Sequence, residues 1–221
     1  SREDDILHFN YLLRFFQDDN YIRVNNKPVI AIGRTELISN VKETIALWKE
    51  LAVQAGLSGL YIINLELIKP DIDPKEVGCD ASAEFQPCFN EFENMKHSLQ
   101  SKIWSKLKRT FRIGKKDKSN DSFLEYDKVI DLMLNRKKSS FKKFPCVMPG
   151  WDNSARRESE ALIIKNSTPE LYERWLEKVI EDFEPYSADE NFIFINAWNE
   201  WAEGAYLEPC VKLEKQYLEA T

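Results

Sequence analysis

A chain of 221 residues, 43% hydrophobic and 12% aromatic, holds enough apolar material for one globular core and too little charge bias for a disordered polymer. Only seven glycines are present and none forms a phosphate-cradling fingerprint, so a nucleotide-binding loop is excluded. The net charge of −6 hides one basic run at 101–118, SKIWSKLKRTFRIGKKDK, with eight Lys/Arg against one Asp.

Residues 4–17, DDILHFNYLLRFFQ, place apolar side chains at helical spacing and lead into a polar turn. PVIAIG (28–33) reads as a buried strand. The next helix is well marked: Asn40 supplies the cap, Glu43 follows three residues later, Ile45, Trp48, Leu51 and Ala52 share a side, and Gly56 stops it. GLYIINLEL (59–67) is again a strand, apolar on both faces, and ASAEF (81–85) a short one. The polar, basic stretch at about 86–122 reads as an insertion. YDKVIDLMLNRK (126–137) is a helix, FPCVMPGWDN (144–153) a strand ending in a turn, and STPELYERWLEKVIEDFE (167–184) a helix opened by Ser/Thr and Pro. NFIFINAW is the last strand.

Continuous hydrophobic strands alternating with amphipathic helices predict a parallel sheet covered by helices. Such strands fit an open doubly wound sheet or part of a (β/α)8 TIM-type barrel. The barrel is favoured because strand ends carry Arg34, Glu84, Trp151, Asp152 and Asn196, and barrel strand ends converge on one face. A Rossmann sheet would need glycines after its first strand, where GRTEL stands. The chain is expected to form a single, partial barrel domain over 1–221.

Cys79, Cys88, Cys146 and Cys210 show no C-x-x-C spacing and only two His occur, so no metal site is expected and the thiols read as free, as in a cytosolic protein. No run approaches the ~20 apolar residues that span a bilayer, and no signal peptide precedes the first helix. The expected location is cytoplasmic, peripheral at the inner membrane if the basic run meets an anionic surface. That run is either a solvated helix face or loop, or a contact for an acidic glycan, a lipid phosphate or a membrane; nucleic acid is not an expected partner, because the acidic remainder would repel it. A chain opening on Ser1 and not Met is expected to have a preceding portion.

The chemistry concentrates in INAWNEWAEGAYLEP (195–209). Glu200 and Glu203 lie three apart just past a strand end, and a helix-like turn there would put them on one side, roughly 5–6 Å apart at Cβ. One carboxyl desolvated by Trp198 or Trp201 would hold a proton while the other stays ionised. Glycoside hydrolysis requires such a division of labour, with about 5–5.5 Å between the carboxyls in retaining enzymes. Asn196 and Asn199 would bind sugar hydroxyls and the indoles would stack on sugar faces. An E-x-x-E pair can equally cap a helix start and face water, Trp151 and Asp152 in PGWDN can be no more than a turn, and Arg34 and Glu84 can form a buried ion pair instead of touching substrate.

The segments PVIAIGR, ETIALWKELAVQAGLSGLYII, FPCVMPGWDNSARR, NSTPELYERWL and FIFINAWNEWAEGAYLEP resemble the WbsX-like proteins of bacterial surface-polysaccharide gene clusters, which are similar to the family 99 endo-α-mannosidases. The resemblance covers nearly the whole chain apart from the basic insertion. It implies a (β/α)8 barrel of which strands four to eight are present, with 28–33 as the fourth. It implies Glu200 as the base that helps the sugar 2-hydroxyl attack its own anomeric carbon, Glu203 as general acid and later base, Glu208 as a further acidic site residue, and no metal or cofactor. Cys210 departs from the Asp usual after EP, and the family's Trp-rich N-terminal wall has no counterpart. Three readings stay open: a retaining glycosidase-like enzyme of O-antigen or capsule-type glycans, a glycosyltransferase using an activated donor in lipopolysaccharide synthesis, and a non-catalytic glycan-binding barrel. The three missing strands are expected to mean a fragment, a natural truncation, or one partner of an assembly, a partner chain or dimer, that closes the barrel.

Overall fold

The computed structural model describes residues 1–89, 91–92 and 121–221; the basic run at 101–118 lies outside them. In chain order the elements are α1 (Arg2–Phe16), β1 (Arg23–Val24), β2 (Lys27–Gly33), α2 (Val41–Gln54), β3 (Tyr61–Glu66), α3 (Pro74–Val77) and β4 (Ala81–Glu84). They continue with β5 (Ser122–Glu125), α4 (Tyr126–Leu134), β6 (Lys143–Phe144), β7 (Cys146–Val147), β8 (Trp151–Asp152), β9 (Leu162–Lys165) and α5 (Pro169–Asp182). The last are β10 (Phe194–Ile195), β11 (Asn199–Glu200), β12 (Ala205–Tyr206) and α6 (Gln216–Glu219). Short 3-10 turns occupy Thr35–Leu37, Ser154–Arg156 and Trp201–Glu203. The architecture is mixed α/β, and the contacts divide it into two compact units, each assembled from separated stretches of chain.

The first unit comprises Ser1–Glu84, Lys138–Pro145 and Glu184–Phe192. Its sheet runs β1-β2-β3-β4-β6, parallel throughout except for the β1–β2 hairpin. The register aligns Val29 with Tyr61, Ile63 with Ala81 and Ser82 with Lys143. Ile62 and Ile63 are fully buried, each contributing about 1.5–3 kcal/mol of transfer free energy. Ser1 closes a capping box with Asp4 at the start of α1, which buries Phe9 and Phe16 beside Ile45, Trp48 and Ala52 of α2. The Trp48 indole N–H donates to the Asp5 carbonyl at 2.9 Å, pinning the two helices together. Asn40 sits at the start of α2 without a side-chain cap bond; its φ of −126° and ψ of 49° depart from the extended backbone that aims a capping side chain at the first amides.

Polar groups in this unit are paired. Lys143 bonds Glu66 at 2.9 Å and also Asp71, the Lys143 and Glu66 side chains being 7% and 3% exposed. The Tyr61 hydroxyl donates to Glu190 at 2.7 Å, and Lys142 meets the same carboxylate.

The second unit comprises Phe85–Lys137, Cys146–Phe183 and Ile193–Thr221. Its core joins Tyr126, Val129 and Ile130 of α4 to Tyr172, Trp175 and Leu176 of α5, and Thr168 caps α5 through the Leu171 N–H at 3.3 Å. β5 pairs parallel with β9, β8 pairs antiparallel with β9, and β7 pairs parallel with β10. The expected strand over 144–153 is instead three two-residue strands, because Pro145 and Pro149 bring no N–H to a ladder. The expected strand NFIFINAW is laddered only at Phe194–Ile195.

Candidate active site

Asn196 ends the β10 ladder: its N–H donates to the Val147 carbonyl at 3.0 Å and its Nδ2 to the Gln86 carbonyl at 2.6 Å. The chain then folds back on itself. Asn199 and Glu200 pair with Tyr206 and Ala205, and the Leu207 and Glu208 N–H groups both donate to the Trp198 carbonyl, at 2.9 and 2.8 Å. Buried Ala205 and Leu207 anchor this hairpin in the core. Between the strands, the 3-10 turn Trp201–Glu203 ends at Gly204 with φ +63°. A Cβ at Gly204 would stand 3.1 Å from the Asp152 backbone nitrogen and 3.3 Å from its Cβ. Glycine is therefore required both by the left-handed backbone and by the close approach to β8.

The turn brings Glu200 and Glu203 together on one partner. Arg156 Nη1 lies 2.9 Å from a Glu203 oxygen and 3.7 Å from a Glu200 oxygen, so those two oxygens are separated by at most about 6.6 Å, the sum of the two distances. The Glu203 side chain is 21% exposed and that of Glu200 44%. Burial pushes the Glu203 carboxyl above its ordinary value; Arg156 pulls it down, Glu200 adds to the rise, and Arg157 opposes it.

Arg156 escaped the sequence reading. It is held by the residues before it: Asp152 Oδ1 accepts the Ser154 N–H at 2.9 Å, and the buried Asn153 accepts the Leu162 N–H at 2.8 Å through Oδ1. The Arg156 N–H then donates to the Asn153 carbonyl at 3.1 Å. The available signal was the D-N-S pattern of an Asx turn, followed after Ala155 by paired arginines.

Around the carboxylates, Trp201 stacks on Tyr206 with ring centroids 4.0 Å apart and 20° between planes. Its indole N–H donates to Glu208 at 2.7 Å, so Glu208 orients the ring. Trp198 and Trp201 are each about half exposed, and Asn199 is exposed. Trp151 is elsewhere: it is buried in the core, edge-on to Phe89, with an indole N–H that has no hydrogen-bond partner among the described residues. Cys210 Sγ accepts the Leu213 N–H at 3.2 Å, closing a turn just beyond the hairpin. Arg34 and Glu84 belong to the first unit. Arg34 is exposed, and among the described residues of that unit Glu66–Lys143 is a buried ion pair. Among the described residues no group of three or more His, Cys, Asp or Glu could hold a metal, no helix is long and apolar enough to cross a membrane, and the four cysteines form no disulfide.

The mixed α/β framework that carries this pair is similar to a glycoside hydrolase-like fold. A solved structure described as a glycoside hydrolase-like protein matches it with a TM-score of 0.60 and 14% identity, over 97% of this chain and 58% of that one. The family described as Glycosyltransferase WbsX matches residues 1–221, and the chain belongs to that family. Two relatives, each named uncharacterized protein WxcX, from two strains of Xanthomonas campestris pv. campestris, are 29% identical over all of this chain. The chain spans only 30% of their length.

Proposed function

We propose that this chain cleaves or rearranges glycosidic bonds of bacterial surface polysaccharide, with Glu203 as general acid and Glu200 as base. The observation that supports the reading is the meeting of both carboxylates on Arg156, at 2.9 and 3.7 Å, as two carboxyls sharing one site must do for retaining chemistry. The more buried Glu203, raised above its ordinary value by that burial, is suited to hold the proton. In the first step the sugar 2-oxygen bonds to the anomeric carbon as its proton passes to Glu200, and the leaving oxygen departs with the proton of Glu203. Water then opens the three-membered ring, giving a proton to Glu203, while the 2-oxygen recovers its own from Glu200. Configuration is retained and no cofactor is consumed. Trp198, Trp201, Asn196, Asn199, Glu208 and Asp152 contact the glycan in this reading. Further β/α units, from adjoining sequence or a partner chain, complete a (β/α)8 barrel.

A second reading, transfer from an activated sugar donor, is favoured by the description of the family as a glycosyltransferase. Glu203→Gln discriminates. On the hydrolytic reading it abolishes release of the leaving group from an activated α-glycoside while circular dichroism stays unchanged; undiminished release rejects the assignment. Product that forms only when a donor is supplied, with no hydrolysis of oligosaccharides, selects transfer.

A further inference from the structure

We infer that Arg156 is a positioning residue that holds Glu200 and Glu203 at one separation and governs when Glu203 takes up a proton; this rests on the carboxylate-pair reading above. Two carboxylates sharing a site repel and would splay apart if nothing bridged them. Arg156 Nη1 reaches both, at 2.9 and 3.7 Å; its side chain is 53% exposed, but the backbone that carries it is fixed. The 3-10 turn Ser154–Arg156 that carries it is closed by Asp152, tied to β9 through Asn153, and packed against the turn that carries Glu203. The guanidinium is thus delivered by a preorganised loop, which lowers the entropic cost of holding a long side chain in place.

The charged groups acting on Glu203 are Arg156 and the adjoining Arg157 from that loop and Glu200 from β11; β8 and β12, which neighbour its turn, carry the titratable Asp152 and Tyr206. Arg156 is the closest opposite charge. It favours the ionised Glu203 while burial and Glu200 favour the protonated form. Removing it therefore raises the pH at which Glu203 loses its proton. Removal also frees the two carboxylates to move apart, and displacement of a catalytic group by about 1 Å costs roughly a hundred-fold in rate.

The test is a titration of the side-chain carboxyls in protein carrying 13C-labelled glutamate, Glu203 being assigned with Glu203→Gln, on wild type, Arg156→Gln and Arg156→Lys. Arg156→Gln is expected to raise the Glu203 midpoint, with Arg156→Lys in between, since lysine keeps the charge but cannot bridge two carboxylates in a fixed fork. An unmoved midpoint in both variants overturns the inference. In turnover, Arg156→Gln is expected to shift the basic limb of the kcat/KM profile to higher pH and to lower kcat by roughly a hundred-fold with KM little changed. A changed KM with an unmoved limb also overturns it. The two readings fail separately. A moved midpoint in a protein that cleaves no glycoside keeps Arg156 and removes the hydrolase, whereas normal turnover with an unmoved midpoint does the reverse.

Discussion

Gly204→Ala tests whether the turn bearing Glu203 is seated on β8. Gly204 has φ +63°, a conformation that costs an L-residue about 1–2 kcal/mol. The new Cβ would also stand 3.1 Å from the Asp152 nitrogen and 3.3 Å from its Cβ. The backbone nitrogen cannot swing aside as a side-chain tip would, so overpacking adds about 1–3 kcal/mol. The sum is about 2–5 kcal/mol, or roughly 4–20 °C in Tm for a chain of this size. Gly56→Ala is the control: its φ is +85°, yet none of the described residues lies within 4 Å of the added Cβ, so only the backbone cost of about 1–2 kcal/mol applies. Differential scanning calorimetry of both variants should show the larger loss at Gly204, with turnover falling as Glu203 is pushed off Arg156. Equal losses, or a Gly204→Ala variant of wild-type stability, would refute the close approach.

Lys143→Met should cost about 3–5 kcal/mol in urea denaturation, because it leaves the buried Glu66 carboxylate without its compensating charge; Glu66→Leu added to it should recover most of the loss. Glu203 supplies a pH signature. Its folded-state value lies above the unfolded one, so its contribution to stability is fully present below the unfolded value and is lost as pH rises through the folded one. Glu203→Gln should accordingly gain stability relative to wild type as pH is raised from the acid side of the ordinary glutamate range towards neutrality. Urea melts at a series of pH values check this, and a gap that is constant or narrows with pH counts against a raised Glu203. The comparison is made within one site because buried Glu66 is displaced in the same direction.

The elements that sequence periodicity located are those whose own residues carry the signal. α2 has an apolar face and a glycine just past its end, and β3 is a run of apolar residues buried nearly throughout. The strand LIIK of β9 went unread: four residues behind a charged loop are too short for a period, and its place is set by pairing with β5 and β8. The carboxylate pair was visible as E-x-x-E beside indoles. Its geometry was not, because the residue that joins the pair lies 47 positions before Glu203. Trp151 shows the opposite failure, since composition cannot tell an indole destined for the core from one facing solvent.

The discontinuity of the two units bears on how the chain matures. Glu190 and Lys143 complete contacts begun by Tyr61 and Glu66 in the first unit, so a ribosome that has released Glu84 has not released all of that unit. At roughly 5–20 residues per second, the interval until Phe192 emerges is about 5–20 s. During it the apolar strands β2 and β3 are made but not enclosed, a window in which a chaperone that shields nascent chains would find its client.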